Sequence, residues 1–235
     1  MRYFRFALWG IAIIGLMFAG AEFKEDLQLN AKIISKVPTD QKVVALTFDD
    51  GPSSKTTPEI LAILKEEKIK ATFFVVGENV EKLPSIVAQE VKDGHEIGIH
   101  TYGHKNLPRL SPHRVKEEME KSEKVITVIT SKPTLFRPPG GAYNKTVLRI
   151  ARDMGYTVVL WSVDPLDWKC PPARSIVNYV VKNVKPGGII LLHDLRYPSP
   201  TIGAIRTIID RLKAQGYQFV TVTELLQYYQ GRNLI

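Results

Sequence analysis

From residue 42 onward, apolar residues recur in two rhythms. Short apolar or β-branched runs stand at residues 43–48, 71–76, 96–99, 134–136, 156–161, 188–192 and 217–222. Runs this short suit buried strands, not helices. Between them lie longer stretches whose apolar positions recur every three or four residues: 58–68, 80–92, 112–129, 144–154, 172–184, 202–214 and 223–229. In the first, Ile60, Leu61, Ile63 and Leu64 share one side, with Lys and Glu opposite. Pro58 stands near that helix start, where its missing N–H costs nothing. Gly155 and Gly216 follow helical runs, at positions that favour a left-handed cap.

Strands alternating with helices predict a parallel sheet with right-handed crossovers. Strands apolar on both faces predict helices covering the outside. The expected fold class is therefore α/β, a distorted (β/α)7 barrel of TIM-barrel type. An open, doubly wound sheet is the rival architecture. No G-x-G-x-x-G and no Walker motif follows any strand, so a nucleotide site has no support.

Residues 1–21 differ from the rest. Arg2 and Arg5 precede an uncharged run from Phe6 to Ala21 that ends Ala19-Gly20-Ala21. This is the layout of an export signal. The apolar run is shorter than the roughly 20 residues a helix needs to cross the hydrocarbon core. The expected organisation is a signal peptide or membrane anchor over 1–21, a polar linker over 22–41 and a catalytic domain over 42–235. The body is then exported, to the extracellular or cell-wall space, and touches a membrane only through its first segment.

Composition narrows the picture. Of 235 residues, 44% are hydrophobic and 24% charged, which excludes a disordered or multi-span membrane protein. Cys170 is the one cysteine, so an intrachain disulfide or a cysteine-based zinc cluster is excluded. The net charge of +8 is scattered, with no basic run interleaved with aromatics. That argues against nucleic acid as a partner and is compatible with an anionic polymer.

In parallel barrels, reactive side chains gather where strands end. The first expected strand ends in Asp49-Asp50-Gly51-Pro52, the third in His100 with His104 beyond it, and the fourth in Arg137-Pro138-Pro139-Gly140-Gly141. The fifth is followed by Asp164-Pro165-Leu166-Asp167-Trp168, and the sixth ends in His193-Asp194. Singly, each has an ordinary explanation: turn chemistry for Asp-Asp-Gly-Pro, surface histidines, a structural arginine, a core tryptophan. Together they place titratable groups on one rim. Neighbouring residues at a strand end point to opposite sides, so Asp49 and Asp50 are expected to do separate jobs. The i, i+4 spacing of His100 and His104 lets two imidazoles meet one ion on a helical turn. A carboxylate with two imidazoles suits Zn²⁺ or another first-row ion, with positions left for water. A histidine that ends a buried strand, as His193 does, is either hydrogen-bonded or working.

Thr47-Phe48-Asp49-Asp50-Gly51-Pro52, His100-Thr101-Tyr102-Gly103-His104, Arg137-Pro138-Pro139-Gly140, Asp164-Pro165-Leu166-Asp167-Trp168 and Leu191-Leu192-His193 resemble, in order, the five motifs of the polysaccharide deacetylases (NodB-type, carbohydrate esterase family 4). The resemblance covers roughly residues 42–225. It implies a distorted (β/α) barrel and one divalent metal, usually zinc, with cobalt or another first-row ion as alternatives. Asp50, His100 and His104 would ligate it. Asp49 would be the general base, held by Arg137, and His193 the general acid, tuned by Asp167. Trp168 and Leu191 would line the pocket for the acetyl methyl, and the Gly140 N–H would help bind the oxyanion. Many members carry tyrosine at that position; the backbone donor survives the change, whereas a side-chain wall does not. Asp164 matches a motif position without an implied role.

The implied reaction is metal-assisted hydrolytic N-deacetylation of amino sugars in a polysaccharide. Peptidoglycan comes first, then chitin oligomers or O-acetyl xylan. No protein partner is implied. Two other classes compete. A metalloprotease would carry glutamate where Thr101 stands. A non-catalytic glycan-binding module would lack the base or a ligand, yet Asp49, Asp50, His100, His104 and His193 are all present.

Overall fold

The computed structural model describes residues 33–229. The expected leader over 1–21 and the first part of the expected linker lie outside them. Among the described residues, no helix is long and apolar enough to cross a membrane.

A two-residue strand, β1 (Ile33–Ile34), comes first. All seven expected strands follow: β2 (Val43–Asp49), β3 (Thr72–Val75), β4 (Glu96–Ile99), β5 (Leu135–Phe136), β6 (Thr157–Val159), β7 (Gly188–His193) and β8 (Gln218–Val220). The helices are α1 (Thr56–Glu66), α2 (Gly77–Lys82), α3 (Pro84–Lys92), α4 (Pro112–Thr127), α5 (Lys145–Asp153), α6 (Ala173–Asn183), α7 (Pro200–Ala214) and α8 (Val222–Leu226). The single helix expected over 80–92 is two. Pro84 opens α3, and Leu83 before it leaves the helical region (φ −135°, ψ 49°), as a residue preceding proline tends to do. Side chains set other starts: Asn144 accepts from the Val147 N–H, and Thr221 and Glu224 form a reciprocal capping box. Gly155 and Gly216 both take φ +85° where α5 and α7 end.

Every residue of β2 is buried. It pairs in parallel with β7 from Val44↔Gly188 to Asp49↔His193, and with β3 over Thr47–Asp49. The ring runs β7-β2-β3-β4-β5-β6. One parallel bridge closes it, Val163↔Ile190. There the Leu191 N–H donates to the Val163 carbonyl (2.9 Å) and the Ser162 N–H to the Ile189 carbonyl (3.0 Å). The seventh expected strand is not a full member of the ring. β3 meets β2 only from Thr47, which leaves the first residues of β2 with a free edge. β8 fills it, pairing with Val43, Val44 and Ala45. The Val222 N–H then donates to Thr72 Oγ1 (3.0 Å).

The domain also begins earlier than residue 42. The Ile34 carbonyl accepts from the Leu160 N–H (2.7 Å), and Val37 is buried with its N–H on the Gly187 carbonyl (2.9 Å). Val37 stands among polar neighbours, so periodicity does not reveal it. On the outer, helix-facing side of the sheet, opposite Thr47 and Asp49, Phe48 stacks on Phe73 with centroids 5.0 Å apart. Each such ring contributes about 2–3 kcal/mol by burial. Outside it, α7 packs Ala204, Ile205, Ile208, Ile209 and Leu212 inward. The carboxyl ends of β2, β4, β5 and β7 consequently face one mouth.

Candidate active site

Asp49 is the last residue of β2 and is buried. The chain then turns sharply. Asp50 has φ +76°, a left-handed conformation that costs a side-chain-bearing residue about 1–3 kcal/mol. The turn brings its carboxylate back to the cavity that Asp49 faces, so the two do not point to opposite sides as expected. β4 delivers His100, also buried. His104 follows in a loop and not on a helical turn: Thr101 and His104 have φ +64° and +51°. The loop hangs on the start of α2, whose Gly77 and Glu78 N–H groups donate to the carbonyls of Thr101 and Tyr102 (both 3.0 Å). The spacing argument thus reaches the right pair through the wrong geometry.

Asp50 Oδ1 lies 3.1 Å from His104 Nε2 and 3.4 Å from His100 Nε2. One ligand atom from each of the three residues falls within 4.8 Å of the others. His100 Nδ1 is 2.8 Å from the Arg137 carbonyl, which can only accept, so Nδ1 carries the proton. In the neutral form of His100, Nε2 then turns a lone pair toward Asp50 Oδ1, a buried oxygen with no hydrogen-bond partner. Two electron-rich atoms at that separation repel unless a cation lies between them. A carboxylate and two imidazoles, one oriented by a backbone carbonyl, are the donor set of a divalent ion with open positions. Without a cation the imidazoles can take up protons instead: burial would raise the Asp50 carboxyl, but hydrogen bonds and positive charge from protonated His100 and His104 outweigh it and hold it well below the usual carboxylate range. Asp50 in turn raises His104, so proton and cation compete for the same atoms.

Arg137, at the end of β5, is fully buried. Its Nη1 donates to Asp49 Oδ1 (2.6 Å) and Thr47 Oγ1 (2.8 Å). Nε reaches the Val159 carbonyl (3.1 Å) and Nη2 the Leu160 carbonyl (3.0 Å). The guanidinium lies 4.0 Å over the Phe74 ring. One side chain thus ties β2 to β6 and fixes one oxygen of Asp49. The other oxygen stands 3.7 Å from His100 Nε2.

His193 ends β7 as the register partner of Asp49, so their side chains share a face. Its Nδ1 is 2.8 Å from Asp167 Oδ1 and its N–H 2.8 Å from Asp167 Oδ2. The Thr201 hydroxyl also donates to Oδ2 (2.6 Å). Burial would lower the His193 imidazole, but Asp167 outweighs it, with help from Asp49 and Asp50, and pushes it up to about 9. Asp49, Asp50, His100, His104 and His193 open onto one cavity of 410 Å³, with Gly140, Trp168 and Leu191 on its walls. Arg137 and Asp167 stay out of it and act from behind.

The sequence profile described as polysaccharide deacetylase matches residues 36–159. A peptidoglycan-N-acetylglucosamine deacetylase of Bacillus cereus is 43% identical over 208 residues, which cover 87% of this chain and 98% of the relative. The chain belongs to the polysaccharide deacetylase family. PgdA, a peptidoglycan-N-acetylglucosamine deacetylase of Listeria monocytogenes, is 39% identical over 82% of this chain, which spans only 40% of that relative. A crystal structure of a peptidoglycan N-acetylglucosamine deacetylase in complex with 4-naphthalen-1-yl-N-oxidanyl-benzamide superposes with a TM-score of 0.81 at 38% identity, covering 86% of this chain and 95% of the other. The family's reaction class is hydrolytic deacetylation of a polysaccharide.

In this deacetylase the wall at residue 140 is missing. Gly140 has φ +60°, and a Cβ built there meets nothing within 4 Å. Asp164 shapes the loop that carries Asp167 and Trp168: its Oδ1 accepts from the Leu166 N–H (2.8 Å). Trp161, Leu195 and Arg196 also line the cavity but drew no notice in the sequence. Thr47 was legible in principle, since it shares a face with Asp49 two residues on. Asp194, buried beside the acid, is pushed by burial up to about 7; the sequence marks it only as the residue after His193 at the strand end.

Proposed function

We propose that this chain hydrolyses the N-acetyl groups of amino sugars in peptidoglycan, with a zinc ion held by Asp50, His100 and His104. The observation that carries the reading is the meeting of His100 Nε2 with the undonated Asp50 Oδ1, beside an acid and a base that are register partners. Relatives that act on peptidoglycan and a net charge of +8 support the choice of polymer. The signal-like residues 1–21 support action outside the cytoplasm, which fractionation of cells carrying the full chain tests.

When bound, the ion would lower the pKa of water toward about 7 and would polarise the acetamide carbonyl. Asp49, clamped through one oxygen by Arg137, takes the proton from the attacking water with the other. The Gly140 N–H donates to the developing oxyanion, a contribution of about 3–4 kcal/mol for one donor. His193, kept protonated by Asp167, gives its proton to the departing amine, which leaves poorly without it. Trp168 and Leu191 enclose the methyl. Acetate and a free amino sugar result.

The deciding assay is acetate release from peptidoglycan, chitin oligomers and acetyl xylan, before and after chelation and with zinc added back. Peptidoglycan should be the best substrate, and activity should vanish with chelator and return with zinc. Full activity in chelator removes the metal from the mechanism, and a preference for chitin oligomers removes the polymer assignment.

A further inference from the structure

The turn that carries Asp50 is held by side chains the reaction does not use. The Asp50 carbonyl accepts from Asn79 Nδ2 (2.8 Å), and the Gly51 carbonyl from the Val76 N–H (2.9 Å). The Ser53 N–H donates to Thr57 Oγ1 (2.8 Å), whose hydroxyl donates to Asp194 Oδ2 (2.6 Å). Asp194 is fully buried, and its own N–H donates to the Asp49 carbonyl (3.2 Å). Its carboxyl stands against Gly51, in the space a Cβ there would need. Oδ1 of that carboxyl has no hydrogen-bond partner. A buried carboxyl so poorly satisfied is costly, and an apolar side chain would fill the same space without that cost.

Resting on the reading of Asp50, His100 and His104 as a cation site, we infer that Asp194 is a positioning residue for the ligand Asp50. Its carboxyl, clamped by Thr57, stops the turn from relaxing out of its left-handed conformation. Oδ1 of Asp50 then stays aimed at the two imidazoles. Because Asp194 directly follows His193, the same carboxyl ties the strand bearing the acid to the turn bearing the ligand. The separation between proton donor and cation is fixed by that tie.

The test measures zinc affinity, by competition with a chromophoric chelator, for the wild-type chain and for Asp194→Ala, Asp194→Asn and Thr57→Val, alongside melting of each metal-free protein. Asp194→Ala should bind zinc about 10–100-fold more weakly, the range for losing a group that orients a ligand, and Thr57→Val should fall in between. Asp194→Asn keeps the acceptor and the shape and should stay within about threefold of wild type. A folded Asp194→Ala with wild-type affinity overturns the inference. So does an Asp194→Asn as weak as the alanine variant, since charge and not shape would then matter. If Asp194→Ala does not fold, Thr57→Val decides, and unchanged zinc affinity there overturns the inference. A wild-type chain that binds no zinc brings down the cation site itself.

Discussion

Arg137 is fully buried while it donates to Asp49, Thr47 and two backbone carbonyls. Deleting its charged partner would leave an uncompensated buried cation, a loss of about 3–5 kcal/mol. Asp49→Asn is therefore a cleaner probe of the base than Asp49→Ala, because the amide oxygen still accepts from Arg137. Its turnover should fall by about 10²–10⁴, the usual share of a general base, while equilibrium dialysis finds zinc still bound. His100→Ala should lose both. Near wild-type turnover in zinc-loaded Asp49→Asn would free Asp49 of the role.

His193 gives a pH prediction. Its folded pKa near 9 lies above the ordinary value of 6.5, so its acid form is present below about 9 and lost above. Asp167→Asn should move the alkaline limb of the pH–rate profile down toward 6.5; an unmoved limb would show that Asp167 does not tune the acid. The sign for stability follows. The extra stability, about 3 kcal/mol at most, is complete below pH 6.5 and disappears as pH rises through 9. At this scale the sequence was informative where motif residues carry chemistry. It marked Asp194 only as the neighbour of His193 and was silent on Thr57, because their roles depend on segments far apart in the chain.

Among the elements, the seam between β6 and β7, like the one Ile99↔Phe136 pair that joins β4 to β5, is a thin joint of the ring, a single bridge at Val163. The strand on its far side ends with Leu191, buried in the pocket wall, and His193. Val163→Pro removes the N–H that donates to the Ile189 carbonyl (3.2 Å). It should cost about 1–3 kcal/mol in denaturant unfolding and lower turnover more than zinc affinity, since the ligands lie in the turn after β2 and the segment after β4. Equal losses in both would place the seam's influence elsewhere. All seven strands could be read from apolar runs, because most of them are buried on both faces, the half-exposed β8 excepted. The break at Leu83 was signalled by Pro84, but the non-helical path to His104 and the wedge made by β8 could not be read. Each depends on backbone angles or on an edge left open by another strand.

For the molecule as a whole, a cation bound only by the folded state adds stability by mass action. Zinc at a thousandfold excess over its dissociation constant contributes about 4 kcal/mol, which for a domain of this size raises the melting temperature by roughly 8–16 °C. Calorimetry of chelated and zinc-loaded protein should show that gap; coincident melting curves would mean that zinc does not occupy a preformed site. The α/β class and the common rim were legible from alternation alone. The true start of the domain was not, since Ile34 and Val37 join it through backbone hydrogen bonds that leave no apolar period. The bare flank at Gly140, where nothing lies within 4 Å of an added Cβ, gives the catalytic bowl an open side. A bowl of that shape does not have to thread its polymer from a free end. It can settle on an internal unit of a cross-linked mesh and release it sideways.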